Sequence, residues 1–150
     1  MIDVGCELCG WERDGSSPIG KWVFRNRLWS VLVLPGYEVP GWVVLQLRRH
    51  AVGPSAMNEE EAVSMGPLVV AITGAIGDVL PRSKVYLAAF GEMYPHFHML
   101  FAVRGPDVPS ALRGPALISG RAALIDIPAA LGVAAEVGAR LVRVHEESLR

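Results

Sequence analysis

Cys6 and Cys9 are the only two cysteines of the chain, and they form a C-x-x-C pair near the amino terminus. Two thiolates at that spacing reach a common point from one tight turn, so the pair can chelate a single metal ion. A closed tetrahedral site needs two further ligands from elsewhere in the chain. The chain holds four histidines to draw on, His50, His96, His98 and His145. Two other readings stay open on spacing alone. A redox C-x-x-C usually follows a strand and opens a helix, whereas Cys6 lies close to the terminus and is followed by glycine and polar residues. The pair could also be two inert buried thiols. A disulfide framework does not have this pattern.

The second chemical feature is the run Gly91-Glu92-Met93-Tyr94-Pro95-His96-Phe97-His98-Met99-Leu100. Strand side chains alternate between faces. If the run is strand, His96, His98 and Leu100 point one way, and Phe97, Met99 and Phe101 point into the core. Two histidines then stand side by side on a polar face backed by apolar packing. A pair of hydrogen-bonded surface histidines would give the same pattern.

The elements that must position these residues follow from periodicity and punctuation. Glycines and prolines mark the first twenty residues as loop. Lys21 to Phe24, Leu28 to Leu34 and Trp42 to Leu47 read as strands, the last running into Arg48-Arg49-His50. Asn58 with Glu61 forms a capping-box start for a helix with Val63, Leu68, Ile72, Ile76 and Val79 on its apolar face. Pro67 should kink or split that helix, and Pro81 ends it. Val85 to Phe90 and Phe97 to Val103 complete five strands by the same reading, taken as antiparallel. Residues 105 to 120 read as loop. Asp126-Ile127-Pro128 opens a second helix, with Leu131, Ala134, Val137, Leu141 and Val144 facing inward. The expectation is one α+β domain over residues 1–150, with about five antiparallel strands and two main helices.

Composition narrows the class. A chain of 150 residues, 51% hydrophobic and 19% charged, is long enough for one sizeable core. Its net charge of −1, without a basic patch, argues against a nucleic-acid polymer as partner. No signal-peptide pattern opens the sequence, and the apolar runs read as shorter than a membrane span. A cytoplasmic protein with no membrane partner is expected.

Taken with their surroundings, these segments resemble the histidine-triad family. Its signature is His-φ-His-φ-His-φ-φ followed by an arginine. Here His96 and His98 fill the first two positions, Leu100 the third, and Arg104 sets the register. Pro40-Gly41-Trp42 through Arg48-Arg49-His50 is similar to the family's Pro-Gly, hydrophobic strand, basic-basic-His segment. The helix start at Asn58 also fits. The resemblance spans roughly residues 6 to 104. It implies an α+β histidine-triad fold and, in common with many members, a homodimer. Zinc-binding members, including the galactose-1-phosphate uridylyltransferases, ligate the metal through positions that correspond here to Cys6, Cys9, His50 and His96. Zn²⁺ is the cofactor so implied, and His98 falls at the position of the nucleophile.

In the family that histidine attacks an α-phosphate and forms a covalent nucleotidyl intermediate. The resemblance implies a small-molecule substrate such as a nucleotide, with Glu92 and Arg104 as substrate-binding residues, and a hydrolase or nucleotidyltransferase activity. The chain departs from the pattern at several places. Leu100 cannot donate a hydrogen bond as the third histidine does, and losing one such donor costs about 2.7–4 kcal/mol. Met93 replaces a hydroxyl residue, Glu92 a glutamine, and Leu34 an aspartate that contacts ribose. The alternative implied by these departures is a diverged member with structural zinc, acting as a binding or scaffold protein or on a non-nucleotide substrate. Arg48, Arg49 and His145 read as solvated surface residues.

Overall fold

The computed structural model describes residues 3–148. Its elements in chain order are α1 (Glu7–Asp14), β1 (Phe24–Arg25), β2 (Trp29–Leu32), β3 (Val43–Leu47), α2 (Glu59–Val79), β4 (Lys84–Ala88), β5 (His98–Arg104), α3 (Pro115–Ser119) and α4 (Ile127–Ser148). The strands form one five-stranded antiparallel sheet in the order β1-β2-β3-β5-β4. The α+β class and the sheet agree with the sequence expectation, with strand ends displaced by one to a few residues.

Register decides which side chains share a face. Val44 lies opposite Leu100, and Gln46 opposite His98; Ala88 lies opposite Leu100 from the other side. One face of the sheet therefore carries Val44, Gln46, His98, Leu100 and Ala88. α1 meets this face where the Gln46 amide donates to Glu12 Oε1 at 3.0 Å. α3 covers it farther along, with Leu117 fully buried. The opposite face carries Trp29, Val31, Leu45 and Phe101, all fully buried. α2 docks there through Ser64, whose hydroxyl accepts from Trp29 Nε1 at 2.9 Å, and through buried Ile72 and Ile76. α4 closes the layer beside β1, where the His145 ring stands edge-on to Phe24.

The capping box at Asn58 forms in both directions, with Glu61 N–H donating to Asn58 and Asn58 N–H to Glu61. The Asp126 carboxylate accepts from Ala129 N–H at 3.0 Å at the start of α4.

Several expectations need correction. The first twenty residues are not all loop, because α1 begins right after Cys6. Residues 105 to 120 contain α3 and a short 3₁₀ turn, since Pro115 is a good first helical residue. Pro67 does not split α2, which continues unbroken across it. Packing on the sheet offsets the one missing backbone donor. Val63 and Val144 lie outside the buried faces assigned to them, at 70% and 49% exposure. α2 is also longer and more apolar than expected: it meets the length and hydropathy of a membrane span, while being docked on the sheet by its buried side.

Candidate metal centre and the adjoining pocket

Four side chains converge beneath α1. The ligand atoms of Cys6, Cys9, His50 and His96 all lie within 4.8 Å of one another. Cys6 is the residue that caps α1 and Cys9 sits in its first turn, so the helix turn brings both sulfurs to one point. His50 follows β3, and His96 precedes β5. These two strands are paired, which sets the two imidazoles side by side with ring centroids 5.2 Å apart.

A hydrogen bond at the rear of the His96 ring fixes which of its nitrogens faces the sulfurs. His96 Nε2–H donates to the Leu47 carbonyl at 2.6 Å, since a carbonyl can only accept. Its Nδ1 therefore presents a lone pair, and it stands 3.4 Å from both Cys6 Sγ and Cys9 Sγ. His50 Nδ1 is likewise 3.4 Å from Cys9 Sγ, while its Nε2 faces Asp3 Oδ2 at 3.9 Å.

The arrangement passes a geometric test for a metal. Bonds of about 2.3 Å to sulfur and about 2.05 Å to nitrogen at tetrahedral angles place S and N about 3.5 Å apart. The observed separations of 3.4 Å fit that value. Burial suits the same purpose. It lowers the pKa of His96, keeping the imidazole neutral, the form that ligates. Burial also pushes the Cys9 thiol up, so a metal must displace a proton to bind there. Cys9 and His96 have no exposed surface.

Two enclosed carboxylates, paired with three arginines, brace this corner. Glu12, nearly enclosed, accepts from Arg25 at 2.6 Å and from Arg48 at 3.0 Å. Glu61, also enclosed, holds the Arg49 guanidinium by two bonds of 2.8 and 2.7 Å. Arg48 and Arg49, read from sequence as solvated, instead pin the end of β3 just before His50. The half-buried His145 ring packs on Phe24 rather than standing free in solvent. Neither carboxylate partner was visible as such in the sequence, because each is far from its arginine along the chain.

The strand alternation expected for the two histidines does not hold. β5 starts at His98, and the chain bends at His96. His96 thus turns toward Cys6, Cys9 and His50 and is fully buried, while His98 opens into a separate pocket. A hydrogen bond still links them: His98 Nδ1–H donates to the His96 carbonyl at 2.8 Å. That fixes the tautomer and leaves the His98 Nε2 lone pair available.

The pocket is a cleft of about 440 Å³ between β3, β5, the loop after β4 and α3. It brings together Leu34, Glu92, Met93 and Leu100, the four positions at which the chain departs from the triad pattern, with His98 beside them. Tyr94 stands edge-on to His98 with ring centroids 5.9 Å apart. Arg104 lies at the far end of β5 and does not line this cleft. Residues the sequence reading missed also line it, among them Tyr37, Phe90 and Arg121. Arg121 had no local signal, since it follows a Pro- and Gly-rich stretch and reaches the site only through the packing of α3.

No family model matches the sequence, and no curated protein matches it. Solved structures do match. A hypothetical histidine triad nucleotide-binding protein from Sulfolobus tokodaii superposes with a TM-score of 0.67 at 11% identity, over 93% of this chain and 93% of that one. A zinc-bound histidine triad family protein from Mycobacterium smegmatis gives 0.63 at 14% identity, over 95% and 97% of the two chains. A uridylyltransferase gives 0.63 at 19% identity, over 92% of this chain and 45% of that longer one. The chain has the histidine-triad fold. Within that fold it carries the Cys6, Cys9, His50 and His96 cluster beside a cleft lined by His98 and Leu100.

Proposed function

We propose that the protein is a zinc-containing histidine-triad enzyme that hydrolyses or transfers at phosphorus in a phosphoester or phosphoramidate, with nucleotides the first substrates to try. The observation that carries this reading is the state of His98: Nδ1–H is held by the His96 carbonyl, and Nε2 opens toward the cleft. In the proposed reaction Nε2 attacks phosphorus and the leaving group departs with the bonding pair. Water or an acceptor then releases the covalent intermediate and restores neutral His98. Among the described residues the backbone N–H groups of Gly91 to Tyr94 have no backbone acceptor, and these residues line the same cleft, which supports anion binding there.

Cys6, Cys9, His50 and His96 would hold the zinc. Four protein ligands leave no open position, so the metal would supply folding energy and rigidity rather than activate water. By holding His96 it would stiffen the carbonyl that orients His98. The second reading, a binding protein with structural zinc, is favoured by Leu34 and Leu100, which remove polar atoms from the cleft. A homodimer is likewise proposed. Val63, Val70 and Leu87, at 70%, 70% and 48% exposure, form apolar surface on α2 and the open edge strand β4 that a second copy would cover.

The deciding experiment is intermediate trapping. The protein is incubated with a panel of labelled nucleoside phosphoramidates and phosphodiesters, acid-quenched, and mapped by peptide mass spectrometry. A phosphorus adduct on His98, absent in His98→Ala, is the expected result. Measurable binding with no adduct and no turnover would leave the binding-protein reading.

A further inference from the structure

The charge inventory of the His98 cleft narrows what it can hold. Arg121 is the one fixed cation in its lining and Glu92 the one fixed anion, so the walls sum to zero. Arg121 is itself already constrained. Its Nε donates to the Gly36 carbonyl at 2.9 Å and its Nη1 to the Ile118 carbonyl at 3.1 Å. The guanidinium carbon lies 4.0 Å from the centroid of the Tyr37 ring, a cation–π distance. Among the described residues, its Nη2 has no protein acceptor. The cleft therefore offers one preorganised guanidinium edge, held in place before any ligand arrives, and guanidinium edges favour phosphoryl oxygens.

The rest of the lining is apolar or aromatic, with Leu34, Phe90, Met93, Leu100 and Ile118 around Tyr37 and Tyr94. A polyphosphate would bring several negative charges against one available cation and one opposing carboxylate. Uncompensated charge in such surroundings is costly. A ribose diol would find no carboxylate on the Leu34 side. An aromatic body, by contrast, suits Tyr37 and Phe90.

We infer that the cleft takes a phosphoryl compound with a single negative charge and an apolar aromatic body, and that Arg121 is the specificity-determining partner of that charge. This rests on the proposed role of His98 and specifies its substrate class. For an aryl phosphonate monoester such as p-nitrophenyl phenylphosphonate the step balances simply. The Nε2–P bond forms as the P–O bond breaks, and p-nitrophenolate leaves with the electron pair. Water then adds to phosphorus, the N–P pair returns to His98, and a proton passes to solvent with phenylphosphonate.

The test uses the full chain, as purified with its metal, in two arms. Binding of p-nitrophenyl phenylphosphonate and of diadenosine tetraphosphate is measured by calorimetry on His98→Ala. Release of p-nitrophenolate and breakdown of the dinucleotide are followed with the wild type. The aryl ester should bind at least about tenfold tighter, and Arg121→Gln should weaken it by roughly 10- to 100-fold, the range for a hydrogen bond to a charged group. Arg121→Lys, which keeps the charge but not the fork, should fall between. Glu92→Gln should narrow the gap by improving the tetraphosphate more than the ester.

Tighter binding of the tetraphosphate, or Arg121 variants that fold and bind the ester like wild type, would overturn the inference. If the tetraphosphate is then turned over in a His98-dependent way, the proposed function survives without it. Ester binding that depends on Arg121 but gives no turnover would uphold the substrate class and defeat the nucleophile. Should Arg121→Gln lose its fold through the Gly36 and Ile118 contacts, the Lys and Glu92 variants still decide the matter.

Discussion

His96 and His98 are two residues apart, yet they belong to two unlike regions. The Cys/His corner is largely enclosed: both ring nitrogens of His96 have partners, and the adjoining arginines are paired to enclosed carboxylates. The His98 cleft is open and mostly apolar, with a single anchored cation. The contrast teaches how strongly a bend of one residue can divide labour. Where the chain bends at His96, an imidazole is committed to the fold. One pleat later, where β5 begins, an imidazole is left facing the cleft.

The largest effect expected is on the metal corner. Cys9→Ser should purify without zinc and lose about 4 kcal/mol or more of stability, the scale reached when a metal is lost. Metal analysis and calorimetric melting check it. A variant that is metal-free and melts like wild type would erase the contrast between the regions. His98→Ala should show the opposite pattern. Turnover and adduct formation should vanish, while zinc content stays and stability shifts by about 1 kcal/mol or less. Equal loss of zinc in His98→Ala and His96→Ala would show that the two histidines share one role.

A smaller effect separates the ion pairs from the cleft. The Arg49 guanidinium holds the Glu61 carboxyl below its ordinary value of 4.5. A depressed carboxylate stabilises the fold fully above its unfolded pKa, and the contribution is lost as pH falls through the lower folded value. Acid titration of stability should therefore show a loss below about pH 4.5 that Glu61→Gln flattens. At neutral pH Glu61→Gln should cost about 1–2 kcal/mol, discounted because Arg49 is partly exposed. Unchanged acid sensitivity would mean that the pair does not brace β3.

The smallest effect probes the rear of the His50 ring. Carboxylates behind metal-binding histidines orient the ring and raise its basicity. With Asp3 Oδ2 3.9 Å from His50 Nε2, Asp3→Asn should weaken zinc by about tenfold in chelator competition, with the fold intact. No change would confine the orienting bonds to the Leu47 carbonyl behind His96.

Much of this molecule was legible in the residue order. The C-x-x-C pair, the strands and the capping box at Asn58 are local signals, set by spacing within a few positions, and each reappears in the structure. The triad register gathered Leu34, Glu92, Met93, His98 and Leu100 in advance, and the cleft brings them together. Tertiary structure alone decided the rest. That α1 follows Cys6 so closely, that α2 runs through Pro67, and that Arg48 and Arg49 meet Glu12 and Glu61 all depend on what the sheet packs against. The same holds for Arg121, whose place beside Tyr37 comes from the docking of α3. Local spacing specifies which groups can act together, but the energy that seats a helix or pairs a distant carboxylate is released only when the core closes.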